Sequence, residues 1–193
     1  MILGITGGSG SGKTTLLNII QQQGGLVLDC DEIYHDLLRT DEGLLFAIEA
    51  RFPGTVENGM LDRKKLGSIV FADEKALLDL NAITHAAVKR EVLRRLESAP
   101  QLAAIDAIGL FEGGLAELCD VTVAVTAPED VRIARLMARE GISAEYAKKR
   151  IAAQHKDDWF REKCDRVLEN NGELDAFATK CLAFLRDICI MDT

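Results

Sequence analysis

Positive charge is in short supply in this sequence of 193 residues, which has 23 Lys and Arg against 31 Asp and Glu and a formal net charge of -8. A general nucleic-acid binder would carry an excess of basic residues, so we expect no nucleic-acid partner and only a local site for phosphate. Long apolar runs are also missing, since none approaches the roughly 18 residues of a membrane-spanning helix. The N-terminus has no basic segment before a signal-like apolar stretch. We therefore expect a cytoplasmic protein that does not associate with a membrane.

Cysteine and histidine are too few and too scattered to predict a disulfide framework or a zinc site. The five cysteines form no CxxC pair, and the three histidines show no metal-ligand spacing. Reduced, partly buried thiols are therefore the expected state. The cysteines are Cys30, Cys119, Cys164, Cys181 and Cys189.

Short apolar runs alternate with helical patterns along most of the chain. This alternation predicts an α/β fold, with a parallel sheet covered by helices on both faces. The predicted strands are residues 2–6, 26–29, 103–106 and 121–126. The predicted helices are residues 13–23, 32–39 and 129–139, followed by a C-terminal helix with an apolar stripe from Leu174 to Cys189.

The alternation breaks between residues 40 and 98, where the sequence has several helical segments and no obvious strand. One of these segments covers about residues 74–98. We interpret the break as a helical insert in a single unit. The predicted organisation is a core at 1–39 and 100–193, an insert at about 40–99 and a lid at about 139–155.

The glycine-rich stretch GGSGSGKT at residues 7–14 matches the pattern GxxxxGK[ST] between a predicted strand and a predicted helix. That context distinguishes a phosphate-binding P-loop from a flexible linker. Glycine lets successive N–H groups point at phosphate, and the helix N-terminus adds positive potential. We expect Lys13 to reach the β- and γ-phosphates of a nucleoside triphosphate, Thr14 to ligate Mg²⁺ and Thr15 to lie near the α-phosphate. The predicted nucleotide-binding residues are Gly10, Ser11, Gly12, Lys13, Thr14 and Thr15.

Acidic residues follow two predicted strands at the edge where ligands gather in parallel sheets. Asp31 has the position of a group that accepts a proton from an attacking hydroxyl or helps to hold the metal. Asp29 with Glu32 alternatively resembles a helix-capping box, and both interpretations hold together if Asp29 caps while Asp31 acts. Asp106 ends the third predicted strand, where P-loop enzymes carry an acid near the metal. The DxxG pattern at residues 106–109 is typical of GTPases, but no NKxD segment follows, which disfavours that class.

Arginines recur at the spacing of one helix face. Arg132, Arg135 and Arg139 are three and four residues apart, and residues 148–150 add three more cations. Like charges at this spacing repel one another, so the arrangement favours an anionic ligand. We interpret it as a lid that closes arginines onto a transferring phosphoryl group. A solvated face with Glu129 paired to Arg132 is the alternative.

Nine segments in a fixed order resemble the dephospho-CoA kinase family over nearly the whole chain. They are GGSGSGKTT at 7–15, DCDEIYH at 29–35, NGMLDR at 58–63, VF at 70–71, LNAITH at 80–85, LFE at 110–112, the arginines of 132–139, Gln154, and NNG at 170–172. The P-loop is shared with many families, whereas the LDR, LNxITH and LFE segments in this order are far more specific.

This resemblance implies a P-loop kinase that transfers the ATP γ-phosphoryl group to the ribose 3′-hydroxyl of dephospho-CoA, the last step of coenzyme A synthesis. ATP and Mg²⁺ would be required, and the insert would bind the CoA moiety. It implies catalytic roles for Asp31 as the base, with Lys13 and Arg139. It places His85 and Arg63, with Asp31, among the residues that bind the acceptor.

The chain departs from the family pattern at four positions. Ser9 stands where the family has an aliphatic residue, and Cys30 where it has alanine; Ile108 and Ala86 stand where it has proline. Two other functions stay open at this point: a kinase for another small metabolite or nucleoside, and a regulatory module that binds nucleotide and signals to a protein partner.

Overall fold

A five-stranded parallel sheet forms the centre of the computed structural model, which describes the backbone of residues 1–191 and the side chains of residues 1–188. The strands are β1 (Ile2–Thr6), β2 (Leu26–Asp29), β3 (Val56–Glu57), β4 (Met60–Leu61), β5 (Ala103–Asp106), β6 (Val121–Thr126) and β7 (Arg166–Glu169). The sheet has the order β2-β5-β1-β6-β7, and all its neighbouring strands are parallel. β3 and β4 form a separate antiparallel hairpin.

Helices cover both faces of this sheet, which confirms the predicted α/β fold. The helices are α1 (Lys13–Gln22), α2 (Cys30–Thr40), α3 (Glu42–Arg51), α4 (Arg63–Val70), α5 (Glu74–Leu96), α6 (Glu129–Glu140), α7 (Ala144–Ala152), α8 (Asp157–Lys163) and α9 (Leu174–Met191). Leu3 and Ile5 pack with α1 and α9 on one face, whereas Leu28 and Ile105 pack with α2, α3, α4 and α5 on the other. Burial of these apolar side chains supplies the main driving force for the layered fold.

The strand order places the carboxyl ends of β1, β5 and β2 side by side at one edge of the sheet. β1 lies at the centre and leads into the glycine-rich loop, while β5 beside it ends at Asp106. Asp106 is in register with Asp29 at the end of β2. Because the strands are parallel, the loop and both carboxylates lie at the same edge.

The prediction that the insert contains no strand is wrong. The β3–β4 hairpin turns through Asn58 and Gly59, both with positive φ (51° and 73°). An Asn-Gly pair suits such a two-residue turn, so the sequence signal was present. The strands escaped sequence analysis because each is only two residues long.

The predicted helix over residues 32–39 in fact begins at Cys30. Asp29 caps it with its side chain, so Asp31 belongs to the first turn of α2 rather than to a loop. α8 and β7 are further elements that the sequence pattern did not indicate.

Within the part of the chain that the structure describes, Cys30, Cys119, Cys164 and Cys181 are free thiols, and the Cys189 side chain lies outside it. No helix among residues 1–191 is long and apolar enough to cross a bilayer.

Candidate active site

The glycine-rich loop has a conformation that side chains would block. Gly12 caps α1 with a φ of 101°, and a Cβ there would lie 2.2 Å from Nδ2 of Asn170. A Cβ on Gly8 would lie 2.0 Å from Nη2 of Arg132. Glycine is therefore required at both positions, by left-handed backbone at one and by close approach of an arginine at the other.

Several N–H groups of the loop are free to bind an anion. Within residues 1–191, the N–H groups of Gly10, Gly12, Lys13 and Thr14 donate to no protein acceptor. These groups open α1, where unpaired N–H groups and the helix dipole favour negative charge. The arrangement is that of a phosphate cradle.

A groove of about 760 Å³ gathers most of the residues predicted to bind nucleotide. Its lining includes Gly10, Ser11, Gly12, Lys13, Thr14, Thr15, Asp29, Asp31, Asp106, Arg135, Arg139, Arg150 and Asn170. Lys13 reaches back along the loop and donates from Nζ to the carbonyl oxygen of Gly7 at 3.0 Å. The structure thus brings a phosphate cradle, three carboxylates and three arginines into one space.

The two carboxylates that follow β2 have different environments. Asp29 accepts hydrogen bonds from the backbone N–H groups of Asp31 (2.9 Å) and Glu32 (3.0 Å), which is an N-cap. The exposed Asp31 carboxylate makes no hydrogen bond to the described residues and borders the groove. The capping interpretation is thus confirmed for Asp29, and the Asp31 side chain remains available for chemistry.

Asp106 is a partly buried acid whose carboxylate has few partners. Its Oδ1 is buried without a hydrogen-bond partner among the described residues. The pKa of Asp106 is raised from 3.8 to about 6, chiefly by burial; Lys13 opposes the rise, and the nearby Asp29 and Asp31 contribute to it. An unpartnered carboxylate oxygen in the same groove as the Thr14 hydroxyl fits a hard divalent cation such as Mg²⁺.

We expect Asp106→Asn to stabilise the nucleotide-free protein. Because the folded-state pKa lies above 3.8, the folded protein holds more protons than the unfolded chain, and stability falls as pH rises from about 4 to above 6. Removing the charge should raise the free energy of unfolding by about 1–3 kcal/mol at pH 8 and by much less at pH 4. Urea denaturation in EDTA at both pH values measures this.

Asp130→Asn, at an exposed carboxylate on α6, is the matched control and should shift stability by less than about 0.5 kcal/mol. If Asp106→Asn changed the free energy of unfolding equally at pH 4 and pH 8, the claim that the Asp106 charge destabilises the folded protein would be contradicted.

The arginines of α6 do not all face the groove. Arg132 is buried behind the loop and donates from Nε to the carbonyl oxygen of Ser9 at 2.9 Å, so the expectation that it belongs to a lid face is wrong. Arg135 donates from Nη1 to the carbonyl oxygens of Gly10 (3.3 Å) and Ser11 (3.1 Å) while lining the groove. A helix that packs against a loop must supply donors for the loop's buried carbonyl oxygens, and arginines can do this. The spacing of arginines in the sequence is the same whether they bind loop carbonyls or an anionic ligand.

Arg139 and Arg150 are the arginines that line the groove away from the loop. Both pair with Glu140, which ends α6. Glu140 therefore holds the two guanidinium groups together beside the groove. Its pKa is lowered by its hydrogen bond to Arg139 and by Arg150, so it is charged near neutral pH.

A smaller pocket of about 160 Å³ opens beside Asp31. Its lining combines Asp31 with His85, Tyr34 and Thr84. The pocket therefore joins the predicted acceptor residue His85 to the carboxylate that also borders the groove.

Arg63 does not line the pocket or the groove among the described cavities. Its Nη2 lies 3.3 Å from Nδ1 of His35, one residue beyond Tyr34.

Ile108, in the place of a family proline, borders both spaces, whereas Ala86 is exposed on α5 and lines neither. The departure at Ile108 therefore lies at the site, and the one at Ala86 lies outside both cavities.

Side chains from distant segments support the loop from behind. Asn170, just after β7, donates from Nδ2 to the carbonyl oxygen of Ser11 at 2.8 Å and accepts from Arg135 at 3.2 Å. Gln154 bonds to Ser9 and Arg132. No local motif marks either residue, and only their place in the family resemblance drew attention to them.

Comparison with known proteins gives one consistent result. The model of the family described as dephospho-CoA kinase (CoaE) matches residues 1–176. A relative from Latilactobacillus sakei, named dephospho-CoA kinase, is 34% identical over 192 residues, which are 97% of this chain and 95% of the relative.

Solved structures share the fold of this chain. One from Thermus thermophilus superposes with a TM-score of 0.81 at 34% identity and covers 97% of each chain. Dephospho-CoA kinase from Campylobacter jejuni has a TM-score of 0.71 at 24% identity, with 100% of this chain and 98% of that chain covered, and at that identity it supports the fold.

Proposed function

The chain belongs to the dephospho-CoA kinase family, and on that premise we propose how its groove and pocket divide the reaction between them. The protein is an ATP-dependent kinase that transfers the γ-phosphoryl group to the ribose 3′-hydroxyl of dephospho-CoA, giving CoA and ADP. The observation that supports our assignment of the site is that Asp31 borders both spaces. It lies in the groove with the phosphate cradle and in the pocket with His85.

The glycine-rich loop binds the triphosphate in this proposal. The free N–H groups of Gly10, Gly12, Lys13 and Thr14 surround the phosphates, and the Lys13 ammonium reaches the β- and γ-phosphates once it leaves the Gly7 carbonyl. Thr15 lies near the α-phosphate. Arg139 and Arg150 neutralise the negative charge that is spread over the transferring group.

Thr14 and Asp106 are the residues that would hold Mg²⁺. Both residues line the same groove and offer hard oxygen ligands, and the buried Oδ1 of Asp106 has no hydrogen-bond partner among the described residues. The bound cation would supply charge neutralisation for the phosphates.

The 3′-hydroxyl approaches from the pocket side. Asp31 accepts or orients its proton while the oxygen lines up with the γ-phosphorus, and Lys13 holds the phosphates in place. His85 positions the acceptor at the other side of the pocket. Arg63, outside the pocket next to His35, would contact a more distant part of the acceptor.

In this proposal the helices between α2 and β5 form an acceptor-binding insert at about 40–99, and α7 with its flanks forms a lid at about 139–155. We propose that this unit works in the cytoplasm on small-molecule substrates, without nucleic acid or membrane. Protein partners are unassigned.

An acceptor panel tests the function. Purified protein with Mg-ATP should release ADP with dephospho-CoA and not with CoA, whose 3′-hydroxyl is already phosphorylated. The 3′-deoxy analogue of dephospho-CoA should inhibit without being phosphorylated. Faster turnover with adenosine would favour a nucleoside kinase, and nucleotide binding without acceptor-dependent ADP release would favour a regulatory module.

A further inference from the structure

Ser9, at the apex of the glycine-rich loop, has every polar group engaged by side chains from outside the loop. Its N–H donates to Oε1 of Gln154 at 2.9 Å, and its hydroxyl accepts from Nε2 of Gln154 at 2.9 Å. Its carbonyl oxygen accepts from Nε of Arg132 at 2.9 Å. Arg132 closes the cluster by donating from Nη2 to Oε1 of Gln154 at 3.0 Å. The two partners are 145 and 123 residues away in sequence.

Two members of the cluster are buried, and Gln154 is partly exposed. Ser9 is 6% exposed and Arg132 is 5% exposed, so solvent does not replace these bonds cheaply. A hydroxyl at position 9 adds a third bond to Gln154 that the aliphatic side chain usual in the family would not make. The Ser9 N–H donates to Gln154, whereas the N–H groups of Gly10, Gly12, Lys13 and Thr14 donate to no acceptor among the described residues and are left for the phosphates.

Gln154 also lies at the foot of the lid. It follows α7 by two residues, and Arg150, four residues earlier, lines the phosphate groove. His155, the next residue, contacts Glu112 at 2.7 Å, so the foot of α7 is tied to a second loop of the site. These contacts hold the C-terminal end of α7 in place, and Arg150 extends from that end of the helix.

We propose that Gln154 is a positioning residue for phosphoryl transfer: by clamping Ser9 and Arg132, it fixes the lid helix against the phosphate loop so that Arg150 meets the transferring group. This inference rests on the proposed role of the lid arginines. Because the cradle N–H groups and Lys13 do not depend on Gln154, its loss should affect turnover far more than binding of ATP.

The test compares Gln154→Leu with Gln154→Glu, Ser9→Ala and Gln22→Leu. Leucine keeps the volume and loses all the bonds. Glutamate still accepts from the Ser9 N–H and Arg132, and the Ser9 hydroxyl can donate to it. Ser9→Ala removes one bond only. Gln22, exposed at the end of α1, provides the matched control.

We expect Gln154→Leu to lower kcat by about 30–100-fold while the Kd for ATP stays within about threefold, since a displacement near 1 Å costs on the order of 10²-fold. Gln154→Glu should recover most of that loss, Ser9→Ala should lose about two- to fivefold, and Gln22→Leu should match the parent. Each is measured by ADP release, ATP titration and thermal unfolding.

If the parent protein makes CoA and Gln154→Leu has a normal kcat, the inference about Gln154 is overturned and the proposed function stands. A kcat loss that follows the loss of ATP affinity, or that Gln154→Glu does not relieve although the variant is folded, would assign Gln154 a purely structural role and also overturn it. A folded parent that makes no CoA would overturn the function and the inference together.

Discussion

Asp31→Asn is expected to lower kcat by about 10²–10⁴-fold while the protein stays folded and binds ATP with nearly unchanged affinity. The substitution keeps the size of the side chain and removes its ability to accept the proton of the 3′-hydroxyl. The Asp31 carboxylate makes no hydrogen bond to the described residues, so no native bond is lost. Turnover with dephospho-CoA and a separate ATP titration measure the two effects.

Asp29→Asn makes the same change of charge two residues away in the same groove. Asparagine is also a good N-cap, so α2 should keep its first turn, and activity should stay within about fivefold of the parent. Equal losses in the two variants would mean that general negative charge matters and that neither carboxylate handles the proton. Near-normal turnover of Asp31→Asn would remove it as the base.

Lys13→Met is expected to lower kcat by about 10²–10³-fold and to weaken ATP binding as well. The ammonium is the one cation carried by the phosphate loop itself, and methionine fills similar space without charge. Unlike the loss of Asp31, this loss should appear in both kcat and the Kd for ATP, because the lysine contacts the phosphates before and during transfer.

Lys148→Met is the control for Lys13→Met, since Lys148 is exposed on α7 and does not line the groove. It should behave like the parent in both assays. Unchanged ATP affinity in Lys13→Met would contradict the assignment of this lysine to the β- and γ-phosphates.

The phosphate loop and the sheet were predictable because their signals are local. Consecutive residues are enough to identify a glycine-rich loop between a strand and a helix. They are also enough to identify apolar runs that alternate with amphipathic helices. The same holds for Asp29 as a cap. Placement of Asp31 beside His85 needed a family resemblance, because the two residues lie on different helices, 54 positions apart (85 − 31), and only the tertiary packing joins them.

The supporting contacts were beyond sequence reasoning. Arg132 resembles a surface cation in an arginine-rich helix, yet it is buried under the loop, because Ser9 offers it a carbonyl oxygen and Gln154 an amide oxygen. Asn170 likewise has no motif of its own and binds Ser11 from the segment that follows β7. Such roles depend on which segments of the chain pack together in the folded protein, and the spacing of residues in the sequence does not indicate this.

The position of the new phosphate is the measurement that tests the central claim most directly. The protein, Mg-ATP and dephospho-CoA are incubated together, and the product is examined by ³¹P and ¹H NMR, which separates a 3′-phosphate from a 2′-phosphate of the same mass. The account predicts CoA with its phosphate on the 3′-oxygen, formed in equal amount with ADP. A phosphate at any other position, or ADP formed with no phosphorylated acceptor, would contradict it.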